Sequence, residues 1–76
     1  MSKDTKAIPP LATKQIRALE LAASGLNQGQ IAKRLRIAQS SLSAITSMTL
    51  ERLQADSVAE AVAIGVSEGW IKLHGK

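Results

Sequence analysis

Lys33, Arg34 and Arg36 place three cations within four residues, with Lys14 and Arg17 upstream. Residues 11–36 carry a net charge of +4 and residues 37–70 carry −3, in a chain whose total is +4. Clustered ammonium and guanidinium groups bind phosphate oxygens. The front of the chain therefore suits an anionic partner, with nucleic acid first, while the back would be repelled by it. Few other chemistries have their parts. The 76 residues hold no Cys, no Tyr and one His, His74. That leaves no disulfide framework and no thiolate or histidine metal site, and most acid–base and nucleophilic schemes lack parts. An enzyme, a cofactor and a metal are not expected. The opening Met-Ser-Lys-Asp-Thr-Lys has no apolar signal core and no 18-residue apolar run follows, so a cytoplasmic protein without a membrane span is expected.

These residues need elements to hold them. Residues 1–10 read as a flexible basic arm ending in Pro9-Pro10. From Leu11 onwards, Ala12, Ile16, Leu19 and Ala23 recur at three- and four-residue steps, which predicts a helix with Thr13 as N-cap and Gly25 as stop. Asn27 with Gln30 forms a capping-box pattern opening a second helix over about 28–36. A third should span about 40–54. At 100° per residue, Leu42, Ile45, Thr46, Thr49 and Leu53 share one face, and Ser40, Ser43, Ala44, Ser47, Met48 and Glu51 the other. Ser57 with Glu60 opens a fourth helix, 58–68, ended by Gly69. No stretch alternates with period two. An all-α, four-helix domain over 11–71, with a flexible tail at 72–76, is the expected fold.

A short helix, a turn near Ile37-Ala38-Gln39 and a longer helix is the layout of a helix-turn-helix, in which the second helix enters the major groove. An ordinary helical hairpin with a solvated basic face has the same layout. The fourth helix is apolar almost all round, with only Glu60, Ser67 and Glu68 polar. Ala61, Gly65 and Gly69 lie four apart, leaving room for a close crossing. With 12 Ala and one aromatic residue, the core should be thin, and a second subunit is a natural cover. Trp70 could stack on bases, but a lone Trp after a helix stop more often packs back on the core. His74 reads as a solvated side chain.

Residues 11–62 resemble the LuxR/GerE-type helix-turn-helix domain of bacterial response regulators and quorum sensors. The family's opening Leu-Thr-x-Arg-Glu is similar to Leu11-Ala12-Thr13-Lys14-Gln15, with Leu19 and Gly25 at the family's offsets. Its Glu-Ile-Ala-x-x-Leu-x-Ile-Ser resembles Gln30-Ile31-Ala32-Lys33-Arg34-Leu35-Arg36-Ile37-Ala38. Thr-Val-Lys-x-His is matched by Ser41-Leu42-Ser43-Ala44-Ile45, Lys-Leu by Arg52-Leu53, and Arg-x-Glu-Ala-Val by Val58-Ala59-Glu60-Ala61-Val62. The resemblance implies a four-helix DNA-binding domain, its third helix reading double-stranded DNA and its fourth forming a homodimer; 76 residues leave no room for the sensor half of full-length relatives, so a stand-alone regulator is expected.

The departures matter. The family's Lys and His on the reading helix are replaced by Ser43 and Ile45, its capping Ser by Ala38 and an Arg by Val58. Base reading would fall to Gln39, Ser40, Ser43, Ala44 and Ser47, with Met48 and Glu51 beyond. Phosphate contacts would fall to Lys14, Arg17, Asn27, Gln28, Lys33, Arg34, Arg36, Ser41 and Arg52. The dimer contact would be Val58, Ala61, Val62, Gly65, Val66 and Gly69. An uncharged reading face allows another role: a small antagonist that pairs with a full-length LuxR-type regulator and blocks its dimerisation or DNA binding.

Overall fold

The computed structural model describes residues 11–72. The expected arm at 1–10 and, beyond Lys72, the expected tail with His74 lie outside the described residues. Four helices follow one another: α1 (Thr13–Ala23), α2 (Gln28–Leu35), α3 (Gln39–Leu53) and α4 (Val58–Ser67). No strand occurs among the described residues.

The helix starts follow capping chemistry, with two adjustments. Asn27 and Gln30 cap reciprocally: Gln30 N–H donates to Asn27 Oδ1 at 2.9 Å, and Asn27 N–H to Gln30 Oε1 at 2.8 Å. Ser57 Oγ accepts from Glu60 N–H at 3.1 Å, but the Glu60 carboxylate reaches one residue further back, to Asp56 N–H at 2.9 Å. The cap of α1 is Ala12 rather than Thr13. Ala12 has no side-chain acceptor, so only the returning half of a box forms, from Ala12 N–H to Gln15 Oε1 at 2.7 Å. Thr13 is already helical, because the extended conformation needed at a cap falls at Ala12, with ψ 160°.

All four helices end in one way. In each, a residue with positive φ follows the last turn and the next N–H turns back to a carbonyl five residues earlier, the Schellman arrangement. These bonds run from Leu26 to Leu21, Ile37 to Ala32, Ala55 to Leu50 and Trp70 to Gly65, at 2.8–3.2 Å. Gly25 and Gly69 supply the left-handed residue after α1 and α4; Arg36 (φ 63°) and Gln54 (φ 56°) supply it after α2 and α3. A side chain there costs about 1 kcal/mol relative to glycine. The residues that follow, Leu26, Ile37, Ala55 and Trp70, are each half-buried against the core.

Two apolar clusters hold the helices, and α1 serves both. Its Ala18 joins Ile31, Ala32 and the fully buried Leu42, surrounded by Leu21, Leu26, Leu35, Ile37 and Ile45. Its Leu19 joins Leu11, Ala61 and Ile71, surrounded by Ile16, Leu50, Leu53, Val58, Val62 and Trp70. The first cluster fastens α2 and the front of α3; the second fastens α4 and the back of α3. Accordingly α2 and α4 do not touch one another, whereas α1 and α3 touch each other and both remaining helices. Buried Thr49 closes its hydroxyl on the Ile45 carbonyl at 2.7 Å, so α3 crosses both clusters without an orphaned polar group at that position.

Candidate nucleic-acid interface

The turn joining α2 to α3 is Arg36-Ile37-Ala38, one residue earlier than expected, because α3 begins at Gln39 rather than Ser40. Ile37 is seated in the first cluster, so the turn is anchored from within. The N-cap of α3 is Ala38, without a side-chain hydrogen bond. Ser40 lies inside the helix and does not replace it.

Along the outer side of α2, Lys33, Arg34 and Arg36 are all exposed. With Leu26 and Gln30 they line a shallow concavity. A second hollow shares Gln30 and Lys33 and continues over Asn27 and Gly29 to Gln39, the first residue of α3. Gln39 reaches that far because Gly29 has no side chain: a Cβ there would stand 3.0 Å from Gln39 Nε2 and 3.5 Å from Asn27 Oδ1. The helix spacing thus gathers Asn27, Gln30, Lys33 and Gln39 along one seam. Gln28, also assigned to phosphate, is exposed at the first position of α2.

On α3 the two expected faces are present. Leu42 and Thr49 are buried, while Ile45, Thr46 and Leu53 are half-buried. Gln39, Ser40, Ser41, Ser43, Ala44, Ser47, Met48, Glu51 and Arg52 are exposed. Met48 is 57% exposed, the most open large apolar side chain among the described residues. Between Gln39 and Met48 this outward face bears no charge and presents hydroxyls, an amide and methyl groups to solvent.

The remaining cations stand apart from the seam. Lys14 and Arg17 are exposed on α1, and Arg17 Nε lies 4.0 Å from Glu20 Oε1. An exposed pair of this kind contributes little. Neither residue lines either hollow, and neither do Ser41 and Arg52. Among the described residues no three His, Cys, Asp or Glu come together to hold a metal, and no helix is long and apolar enough to cross a membrane.

The α4 stripe needs correcting. Ala61 is fully buried by the chain itself. Gly65 is buried too, and a Cβ there would overlap Ile71 Cδ1 and stand 2.9 Å from Ile71 Cγ1. The room left by Ala61 and Gly65 is filled by this chain's own Ile71, not kept for a second helix. Val58 and Val62 are half-buried in the same cluster. Of the six expected dimer residues, only Val66 and Gly69 are exposed; Ala59 and Ala63 join them on the outer side of α4. Sequence reasoning missed Ile71 because it follows the helix stop and belongs to no periodic run. The signal was there in the Gly65-to-Ile71 spacing, since a Schellman turn folds the chain back over its last turn. Trp70 is half-buried against this core, the core-packing alternative for that residue.

Comparison with known protein families finds no family model that matches the chain, and comparison with characterised proteins finds no relative.

Proposed function

We propose that this chain is a LuxR/GerE-type, sequence-specific DNA-binding regulator of transcription, acting in the cytoplasm as a homodimer. The observation that carries the reading is α2 and α3 joined by a three-residue turn, with Lys33, Arg34 and Arg36 beside the start of α3. α3 would enter the major groove and α2 would cross the phosphate backbone. Charge would hold the protein on DNA, and the almost neutral face of Gln39, Ser40, Ser43, Ala44 and Ser47 would discriminate among bases. The homodimer part of the reading rests on the outer side of α4, where Ala59, Ala63 and Val66 are open to solvent. The test is binding to a duplex panel across a salt series starting at about 50 mM, where counterion release should give a steep loss of affinity with rising salt. No binding to any duplex at the lowest salt refutes the reading.

A second reading is favoured by the uncharged outward face of α3 together with the open side of α4. The chain would be an antagonist that pairs with a full-length LuxR-type regulator. Recovery of that regulator in a pull-down, with loss of its DNA binding and no DNA binding by this chain alone, would establish it over the first. Steeply salt-dependent DNA binding by the chain alone would dismiss it.

A further inference from the structure

The outward face of α3 lacks one kind of group altogether. Gln39, Ser40, Ser43, Ala44, Ser47 and Met48 are exposed along it, and none is charged. In the major groove the commonest specific contact to guanine is Arg or Lys bidentate to O6 and N7. No residue of this face can make it. Lys33, Arg34 and Arg36 belong to α2 and its end, and Arg52 lies beyond Met48 and already interacts within the chain. Serine hydroxyls serve either kind of base pair and do not discriminate. The discriminating groups left are the Gln39 carboxamide and the apolar ends of Ala44 and Met48. The Gln39 amide rests over Gly29, where a Cβ would stand 3.0 Å from Nε2, and it makes no hydrogen bond to a described residue. Its oxygen and its N–H groups are therefore open to one base edge. Ala44 and Met48 stand one turn apart on the same side of the helix. Met48 is 57% exposed, an apolar side chain that the fold leaves uncovered.

We propose that the duplex class selected by this face is A·T pairs in the major groove, with Gln39 bidentate to adenine N6 and N7 and with Ala44 and Met48 against thymine 5-methyl groups. The inference rests on the DNA reading of α3 and names the bases that reading leaves open. Adenine presents an acceptor and a donor side by side, which a carboxamide matches with its N–H and its oxygen. Guanine presents two acceptors there, and the carboxamide oxygen would face one of them unpaired. Thymine carries a methyl group in this groove and cytosine does not, and a methyl group gains from an apolar neighbour. Glu51 is the group on this side suited to cytosine N4. It stands two residues before the end of α3 at Leu53, past the first turns that meet base edges in a helix-turn-helix. It therefore does not set the preference.

The test uses the full chain and a randomised duplex pool at low salt. The enriched sites should carry A·T pairs at the positions that meet α3, located by hydroxyl-radical footprinting. Deoxyuridine in place of thymine removes only the methyl group. Scanned one thymine at a time, it should weaken binding by about 3- to 5-fold at each contacted position, the scale of one buried methylene. Met48→Ser should be indifferent to deoxyuridine at one of those positions. 7-Deazaadenine removes the N7 acceptor and should weaken the parent by about 5-fold at one adenine, but not Gln39→Ala. Glu51→Gln should keep the A·T preference. Guanine enriched at the α3 positions overturns the inference and leaves the DNA reading standing. Enriched A·T sites whose binding is indifferent to both deoxyuridine and 7-deazaadenine overturn it too, because the preference then comes from duplex shape and not from base edges. A parent that binds no duplex at all refutes the DNA reading, and the inference falls with it.

Discussion

Substituting Gly65 tests the central packing of the domain, because two physical effects oppose each other there. In a helix interior, Gly→Ala ordinarily stabilises by about 0.5–1 kcal/mol. Here the added methyl would overlap Ile71 Cδ1 and lie 2.9 Å from Cγ1. Ile71 is 3% exposed and fixed among Leu11, Leu19 and Ala61, so it has no free volume to retreat into. Overpacking of this kind costs about 1–3 kcal/mol. The clash outweighs the propensity gain, and Gly65→Ala should destabilise by about 1–2 kcal/mol, a large share of the few kcal/mol that so small a core supplies. Ile71→Val removes Cδ1 and alone should cost about 0.5–1.5 kcal/mol. In that background the Gly65→Ala penalty should shrink by about 1 kcal/mol, since the closest atom is gone. Urea unfolding followed by far-ultraviolet circular dichroism, with Trp70 fluorescence as a second probe, measures all four corners of the cycle. Gly65→Ala as stable as the parent, or two substitutions that simply add, would refute the seating of Ile71. A penalty that grows on dilution would place Gly65 against a second subunit instead, because only association makes stability depend on protein concentration.

Other outcomes follow from the same geometry. Asn27→Ala removes the acceptor for Gln30 N–H and should lower stability by about 1 kcal/mol in the same urea assay. Gly29→Ala should hold or raise stability through helix propensity, yet displace the Gln39 amide; a duplex panel should then show altered base preference, and unchanged preference removes Gln39 from the reading surface. Arg34→Ala should weaken binding to all duplexes alike and lower the salt slope by about 1, whereas Ser43→Ala should change the ranking of sites; the reverse pattern exchanges their roles. Val66→Asp on the open side of α4 should shift sedimentation from dimer towards monomer without unfolding the chain, and a parent that is already monomeric at micromolar concentration removes the dimer from the account.

Much of the fold was legible because it follows from local chemistry. Asn27 with Gln30 and Ser57 with Glu60 announce helix starts through their own side-chain acceptors, and Gly25 and Gly69 announce ends through backbone freedom. The two faces of α3 follow from a 100° step alone. Arg36 and Gln54 end helices without glycine, and no local preference reveals that. The start of α1 at Ala12 was hidden for a related reason: its cap has no side-chain acceptor and leans on Gln15. Of the candidate site, the cationic run was visible as charge, but its union with Gln39 depends on the α2–α3 seam and on the missing Cβ of Gly29.

By itself the sequence determined four helices, a positive front, a negative back and a neutral outward face on α3. These depend on periodicity, caps and charge, which act over a few residues. Tertiary structure decided what covers the Ala-rich fourth helix. Periodicity can say that Ala61 and Gly65 need a close neighbour, but not whose. Folding back through the Schellman turn at Gly69 brings Ile71 onto that groove, and a side chain of the same molecule arrives without the translational entropy that a second subunit would lose.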